Sequence, residues 1–228
     1  MKLSIIIPVY NEEKTIKAIL KRVKAVPLEL EKEIIIVDDS SKDSTKEILK
    51  TINDPQIKIF YHEVNKGKGS AIRTGLEQVT GDILLIQDAD LEYSPEEYPK
   101  LLHPILNGTT KVVYGSRFKG NMVGPNLFSH VIGNKILTYI TKILYFRNIS
   151  DMETCYKVFK KEVIDSITLK AKRFDFEPEI TAKIIKKGYK IYEVPITYES
   201  RLFDQGKKIT WRDGIKALYY LIKYRIMD

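Results

Sequence analysis

The sequence predicts an α/β fold: a mostly parallel, doubly wound sheet with helices on both faces. Three observations lead there. Short apolar runs alternate with helical stripes over the first half of the chain, the pattern of a parallel sheet. The runs are continuous, as strands buried on both faces are. Three of them end in polar clusters, Tyr10-Asn11-Glu12, Asp38-Asp39 and Asp88-Ala89-Asp90, and sheets of this kind bind ligands outside the carboxyl ends of their strands.

The elements follow in order. Ser4–Val9 is an apolar strand. Ile16, Ile19, Leu20 and Val23 mark a helix with Asn11 as a candidate N-cap. Glu33–Val37 is a second strand, Thr45–Ile52 a helix, Ile57–Tyr61 a strand and Gly67–Val79 a helix. The apolar run 83–86 is a buried strand that ends at Asp88-Ala89-Asp90. Tyr98, Leu101, Leu102 and Ile105 mark a helix, and Lys111–Tyr114 a strand. From Lys119 to Asn126 two Gly and one Pro predict a mobile loop. A long helix spans Leu127–Phe146, followed by a strand at Cys155–Phe159, a helix at Glu177–Lys187 and a strand at Tyr189–Val194, before Pro195. Thr210-Trp211-Arg212-Asp213 resembles a capping box. The helix it opens carries Trp211, Ile215, Leu218, Ile222 and Ile226 on one stripe, and Arg212, Lys216, Tyr220 and Lys223 on another.

Bulk properties narrow the function. The 228 residues, 43% hydrophobic, suffice for one sizeable core with a small appendage. A single cysteine, Cys155, excludes an internal disulfide framework and fits a reducing compartment. The apolar start is too short for a signal peptide, and no run of about 18 uncharged apolar residues could span a bilayer as a helix. The formal net charge of +8 calls for an anionic partner. Nucleic acid is disfavoured, because acidic clusters at three strand ends would repel its phosphates.

Alternation points Asp88 and Asp90 to the same side as their strand gives out. Two like charges held that close repel unless a cation sits between them. Hard carboxylate oxygens suit Mg²⁺ or Mn²⁺ and leave positions for substrate phosphates. A bare D-x-D also fits a solvated loop; the convergence of three polar strand ends favours a site.

Five segments taken together resemble family-2 glycosyltransferases of the GT-A fold, the nucleotide-diphospho-sugar transferase fold: 4–12 (SIIIPVYNE), 37–45 (VDDSSKDST), 65–69 (NKGKG), 88–90 (DAD) and 115–117 (GSR). Within that family the chain is most similar to the polyprenyl-phosphate glycosyltransferases, the dolichyl-phosphate mannose synthase type. The segments 151–157 and 176–179 look like parts of the same subfamily. The likeness covers essentially the whole chain. It implies one catalytic domain over 1–200, with a nucleotide-binding half (1–118) and an acceptor half (119–200), and a basic loop and amphipathic helix over 201–228.

The resemblance also implies roles. Asp90 and Glu92 would ligate the Mg²⁺ or Mn²⁺, with Asp88 contacting the metal, its waters or the ribose; mannose synthases often carry Gln where Glu92 stands. Pro8, Tyr10 and Glu12 would border the base and ribose of a sugar nucleotide donor. Asp39, with Asp38 behind it, would accept a hydrogen bond from the base, and Lys66 would approach the donor. Arg117 would hold phosphate. Ser129 and His130 stand where many members carry an arginine, and with Arg201, Lys207 and Lys208 they are the candidates for acceptor phosphate. Glu153, Glu177 and Glu179 receive no role as a base.

A polyprenyl phosphate acceptor needs cations to hold it, because a phosphate monoester is already anionic near neutral pH, its second pKa being about 6. Its tail requires the enzyme to reach a membrane surface. The expectation is a peripheral protein at the cytoplasmic membrane face, with room for a membrane-protein partner. Leu127–Phe146 and Trp211–Met227, apolar, aromatic and basic, are the candidate interfacial helices. The rival within the family is transfer to a glycan hydroxyl, which would need a carboxylate base. A nucleotidyltransferase is disfavoured, since Pro8-Val9-Tyr10-Asn11 is not a Gly-rich phosphate loop.

Overall fold

The computed structural model describes residues 1–124, 127–200 and 211–227. Its strands are β1 (Lys2–Val9), β2 (Glu31–Asp38), β3 (Ile57–Tyr61), β4 (Ile83–Ile86), β5 (Val112–Val123), β6 (Lys157–Lys160) and β7 (Ile191–Glu199). Its helices are α1 (Ile16–Ala25), α2 (Thr45–Lys50), α3 (Lys68–Leu76), α4 (Tyr98–Leu106), α5 (Leu127–Tyr145), α6 (Lys161–Asp165), α7 (Phe176–Lys186) and α8 (Trp211–Ile226).

The strands make one sheet in the order β3-β2-β1-β4-β6-β5-β7. β1 runs parallel to β2 and β4, β2 to β3, and β5 to β7. β6 is antiparallel to both its neighbours, β4 and β5. Two reversals restore direction, so β5 and β7 run the same way as β1, β2 and β4. The carboxyl ends of those strands, and the amino end of β6, therefore share one edge of the sheet.

Burial follows from the continuous apolar runs. Every residue of β4 is buried, as are Leu3 to Ile7 of β1. α1 turns Ile16, Ile19, Leu20 and Val23 inward. α3 packs on β1 so closely that a Cβ on Gly75 would lie 2.6 Å from Ile6 Cγ2. α7 is buried from Phe176 to Ile185, because α5 and α8 cover it. Leu137, Tyr145, Ala182, Ile185, Ala217, Leu221 and Tyr224 form that second core.

Four details differ from the sequence expectations. Asn11 does not cap α1: it turns left-handed at φ 51°, and its side-chain oxygen accepts the Lys42 N–H at 2.8 Å, while Thr15 precedes the helix. Residues 119–123 are not a loop. They continue β5, and Asn121, Met122 and Val123 pair with Thr197, Tyr198 and Glu199 after a register shift. Tertiary pairing overrides the local Gly signal here; Pro125 and Asn126 lie outside the described residues. The last strand does not stop before Pro195 but runs through it to Glu199, which an edge strand tolerates. Finally, the stripe read on α8 does not share one environment, since Leu218 packs partly against the second core. Ala217, Leu221 and Tyr224 face the core, whereas Ile215, Ile222 and Ile226 are exposed. Thr210 and the side chains of 211–213, the capping-box residues, are not among those described.

Candidate active site

A cavity of about 390 Å³ opens along the shared strand edge. Turns that end strands supply one side of it, and α3, α5, α7, α8 and the paired ends of β5 and β7 supply the rest. After β1 come Tyr10, Asn11 and Glu12; after β2, Asp39 and Ser40; after β4, Asp88 to Glu92. In each of these turns one non-glycine residue takes a left-handed backbone, Asn11 (φ 51°), Ser40 (φ 62°) and Leu91 (φ 65°). Such conformations cost free energy and concentrate at functional sites.

The turn after β4 is held from beneath. Gln87 is fully buried. Its Oε1 accepts the Tyr98 hydroxyl at 2.7 Å and the Tyr156 hydroxyl at 2.8 Å, and its amide donates to the Asp88 carbonyl at 2.9 Å. It is held laterally as well. The Glu199 N–H donates to the Glu92 carbonyl at 3.0 Å, and the Tyr198 hydroxyl to Glu92 Oε2 at 2.7 Å. Asp90 Oδ1 accepts the Glu92 N–H at 3.2 Å.

Charges on the cavity walls are paired by two cations, the half-buried Lys68 and the buried Arg117. Lys68 Nζ lies 3.0 Å from Asp88 Oδ1 and 3.1 Å from Glu177 Oε1. Burial works against its charge, but Asp88 and Glu177 hold its pKa well above the ordinary lysine value. Burial likewise opposes the Asp88 carboxylate, yet Lys68 keeps its pKa below the usual aspartate value. Arg117 is 6% exposed and Asp151 is fully buried. The guanidinium grips that carboxylate with two bonds, Nε to Oδ2 at 2.8 Å and a terminal nitrogen to Oδ1 at 2.7 Å. Its backbone N–H adds a third at 3.0 Å, and its ring-side face lies 5.2 Å from the Tyr198 ring centre.

Glu153 also lines the cavity. Burial and the nearby Glu177 push its pKa up to about 8, with Lys157 and Arg117 pulling the other way.

The structure brings most of the expected residues together. Pro8, Tyr10, Glu12, Asp39, Asp88, Asp90, Glu92 and Arg117 all line the cavity. Asp38 and Lys66 are not among its lining residues. Asp38 instead accepts the Ser41 hydroxyl, and Lys66 contributes its backbone. The Asp39 carboxylate accepts the N–H groups of Lys66 and Gly67 at 2.8 and 2.7 Å, and a His62 ring nitrogen lies 2.7 Å from it. It thus pins the turn into α3, where Gly67 has φ 95° and no room for a Cβ against Lys172 and Arg173. The side chains of Ser129 and His130, and the whole of Arg201, Lys207 and Lys208, lie outside the described residues.

Lys68, Asp151, Tyr198 and Asn65 are site residues that sequence reading left without a role. Lys68 sat within the Asn65–Gly69 segment, and Asp151 opened another. Their partners are 20 and 34 residues away, a distance no local pattern spans.

The residues fit a divalent cation in part. Among the described residues, no three His, Cys, Asp or Glu side chains are gathered as a closed metal site. Asp88 is paired with Lys68, and Asp90 and Glu92 also line the cavity. Two carboxylates with the remaining positions left to phosphates and water is a usual arrangement for Mg²⁺.

Comparison with known proteins agrees with this geometry. The family described as Glycosyl transferase family 2 matches residues 4–168. A dolichol-phosphate mannosyltransferase of Pyrococcus furiosus is 32% identical over 98% of this chain, which spans 64% of that protein's length. A UDP-N-acetylglucosamine–dolichyl-phosphate N-acetylglucosaminyltransferase of Methanococcus voltae is 30% identical over 97% of this chain and 95% of its own. Among solved structures, glucosyl-3-phosphoglycerate synthase of Mycobacterium tuberculosis with UDP superposes with a TM-score of 0.78. The alignment covers 100% of this chain and 81% of that one, at 18% identity. That likeness shows the fold, the GT-A architecture expected from the sequence. On the strength of the family match and the full-length relative, the chain belongs to glycosyl transferase family 2.

Proposed function

We propose that the chain is a metal-dependent, inverting hexosyltransferase that moves a hexose from a sugar nucleotide, GDP-mannose or UDP-glucose, to a polyprenyl phosphate at a membrane surface. The observation that carries this reading is the charge plan of the cavity. Asp90 and Glu92 offer oxygens to a cation on one side. Arg117 and Lys68 hold positive charge in the walls. The carboxylates nearest the centre are poorly suited to take a proton from a sugar hydroxyl. Asp88, Glu177 and Asp151 are ion-paired, which weakens a base, and burial together with Glu177 pushes the Glu153 pKa up to about 8, so that its protonated form predominates at neutral pH.

A phosphate acceptor needs no base. One of its oxygens forms the new bond to the anomeric carbon as the bond from that carbon to the diphosphate oxygen breaks. The electron pair leaves with the diphosphate, and attack from the opposite face inverts the configuration. Arg117, rigid on Asp151, would hold phosphate oxygens with its remaining N–H groups. Pro8, Tyr10 and Glu12 would border the nucleoside. A divalent cation held by Asp90 and Glu92 would neutralise charge on the departing diphosphate.

The lipid half of the proposal draws on the helical layer. No described helix is long and apolar enough to cross a membrane. α5 exposes Ile136, Tyr139 and Ile143, and α8 exposes Ile215, Tyr219, Ile222 and Ile226. These are the outward faces of two helices that pack on each other through Tyr145 and Leu221. Apolar faces flanked by lysines are the signature of interfacial helices. The names of the two curated relatives point to dolichyl-phosphate acceptors.

The test is a donor screen with Mg²⁺ or Mn²⁺ and a short-chain polyprenyl phosphate, read by mass. Lipid-linked hexose is the expected product. Transfer to a glycan hydroxyl with none to the lipid phosphate would replace this reading with the hydroxyl-acceptor one.

A further inference from the structure

Two buried carboxylate oxygens in the cavity have no stated employment. Glu177 is 5% exposed. Its Oε1 meets Lys68, but among the described residues no hydrogen-bond partner reaches its Oε2, nor Glu153 Oε1. Both side chains line the cavity. A buried acceptor without a donor is costly and rare, and calls for an explanation in a ligand.

The topology says which part of a ligand lies there. β1 and β2 end at the nucleoside side of the proposed donor site, and β4 carries Asp90 and Glu92 for the diphosphate. The next strand across the sheet is β6. Because β6 is antiparallel, its entering segment, with Glu153 and Cys155, reaches the same edge. α7 brings Glu177 to that side in its first turn. A nucleoside diphosphate laid from β2 to β4 would point its sugar at these two glutamates.

The chemistry selects hydroxyl groups. The Glu177 carboxylate repels phosphate, which excludes the diphosphate itself. A second metal ion is also excluded, because the Lys68 ammonium already sits between Asp88 and Glu177. Hydroxyls of a hexose donate to such oxygens without bringing charge. Resting on the transferase reading above, we propose that Glu177, with Glu153 nearby, hydrogen-bonds hydroxyls of the transferred sugar and so determines which sugar nucleotide is used. Lys68 is the positioning residue: it orients one Glu177 oxygen and leaves the other for the sugar.

The experiment compares wild type with Glu177→Gln and Glu177→Ala. UDP-glucose, UDP-galactose, UDP-xylose and GDP-mannose serve as donors, with UDP and GDP as sugar-free probes. For the preferred donor, loss of a charged hydrogen bond should lower kcat/KM about tenfold to a hundredfold. Discrimination against the epimer, or against the donor lacking the C6 hydroxymethyl group, should fall with it. Binding of the sugar-free diphosphate, measured by calorimetry, should stay within about twofold, which also reports an intact fold. Equal loss of diphosphate and donor binding would make Glu177 a structural residue and overturn the proposal. So would an unchanged donor ranking, or a change in the acceptor KM alone. A wild type that uses no sugar nucleotide would fail the transferase reading itself, whereas a wild type that turns over a donor while Glu177→Gln matches it would fail only this inference.

Discussion

The two halves of the cavity hold their carboxylates by different means. On the β1–β2 side the described partners are backbone, hydroxyl and imidazole groups: Asp39 takes backbone N–H groups from Lys66 and Gly67 and meets a His62 ring nitrogen, and Glu12 Oε2 takes the Thr15 hydroxyl at 2.7 Å. From β4 onward the partners are cations, Lys68 on Asp88 and Glu177, and Arg117 on Asp151. Backbone and hydroxyl donors shape a turn and bring no formal charge into the cavity. The cations are matched by carboxylates, and the pairs bind pieces of chain far apart in sequence. On the proposed reading, the first half recognises the nucleoside and the second handles charge.

The sharpest way to test that division is Asp90→Ala. Asp90 lies at the boundary, and its proposed task is to hold the cation. Metal-dependent turnover should fall on the order of a thousandfold or more, as expected when a Lewis acid worth several kcal/mol is lost. The midpoint of urea unfolding should barely move. Turnover near wild type would sink the assignment.

Next in size are two aspartates of opposite kinds. Asp151→Ala leaves the Arg117 guanidinium buried without its partner, and removal of one member of a buried pair costs about 3–5 kcal/mol. Asp39→Ala leaves two backbone N–H groups and the His62 ring without their acceptor, so a loss of about 1–3 kcal/mol is expected. Chemical denaturation of both variants would measure the gap. Equal losses would mean that the cationic latch is no different in kind from the backbone one.

The same division explains what could be read from the sequence. The first half is governed by local pattern. Continuous apolar runs gave β1, β2 and β4, and the polar residues just after them gave the walls of the cavity. What failed there was fine geometry. Asn11 looks like a helix cap because its type suits one, but the left-handed turn after β1 needs it more. The second half depends on partners distant in sequence. Residues 119–123 carry a glycine signal for a loop, yet β7 pairs with them. α8 exposes Ile215, Ile222 and Ile226 of its apolar stripe, and turns Ala217, Leu221 and Tyr224 to the core. Lys68 and Asp151 have no readable role until the fold brings Asp88, Glu177 and Arg117 to them.

A pH dependence is expected from the second half alone. Glu153 has its pKa pushed up to about 8 by burial and by Glu177, against the opposing pull of Lys157 and Arg117, while Asp151 adds to the rise. An unfolded chain would release that proton near the ordinary glutamate value of about 4.3. Between those limits the folded state binds more protons than the unfolded one, so this group makes stability fall as pH rises. Below the window both states are protonated; above it both are ionised, and the full cost of the buried charge is present. Glu153→Gln removes the titration and keeps the shape. The stability of wild type relative to Glu153→Gln should therefore decline steadily from about pH 5 to pH 8, as followed by urea unfolding at several pH values. A difference that stays flat over that range would mean that Glu153 is already ionised in the fold, and the argument that it cannot serve as a base at neutral pH would go with it.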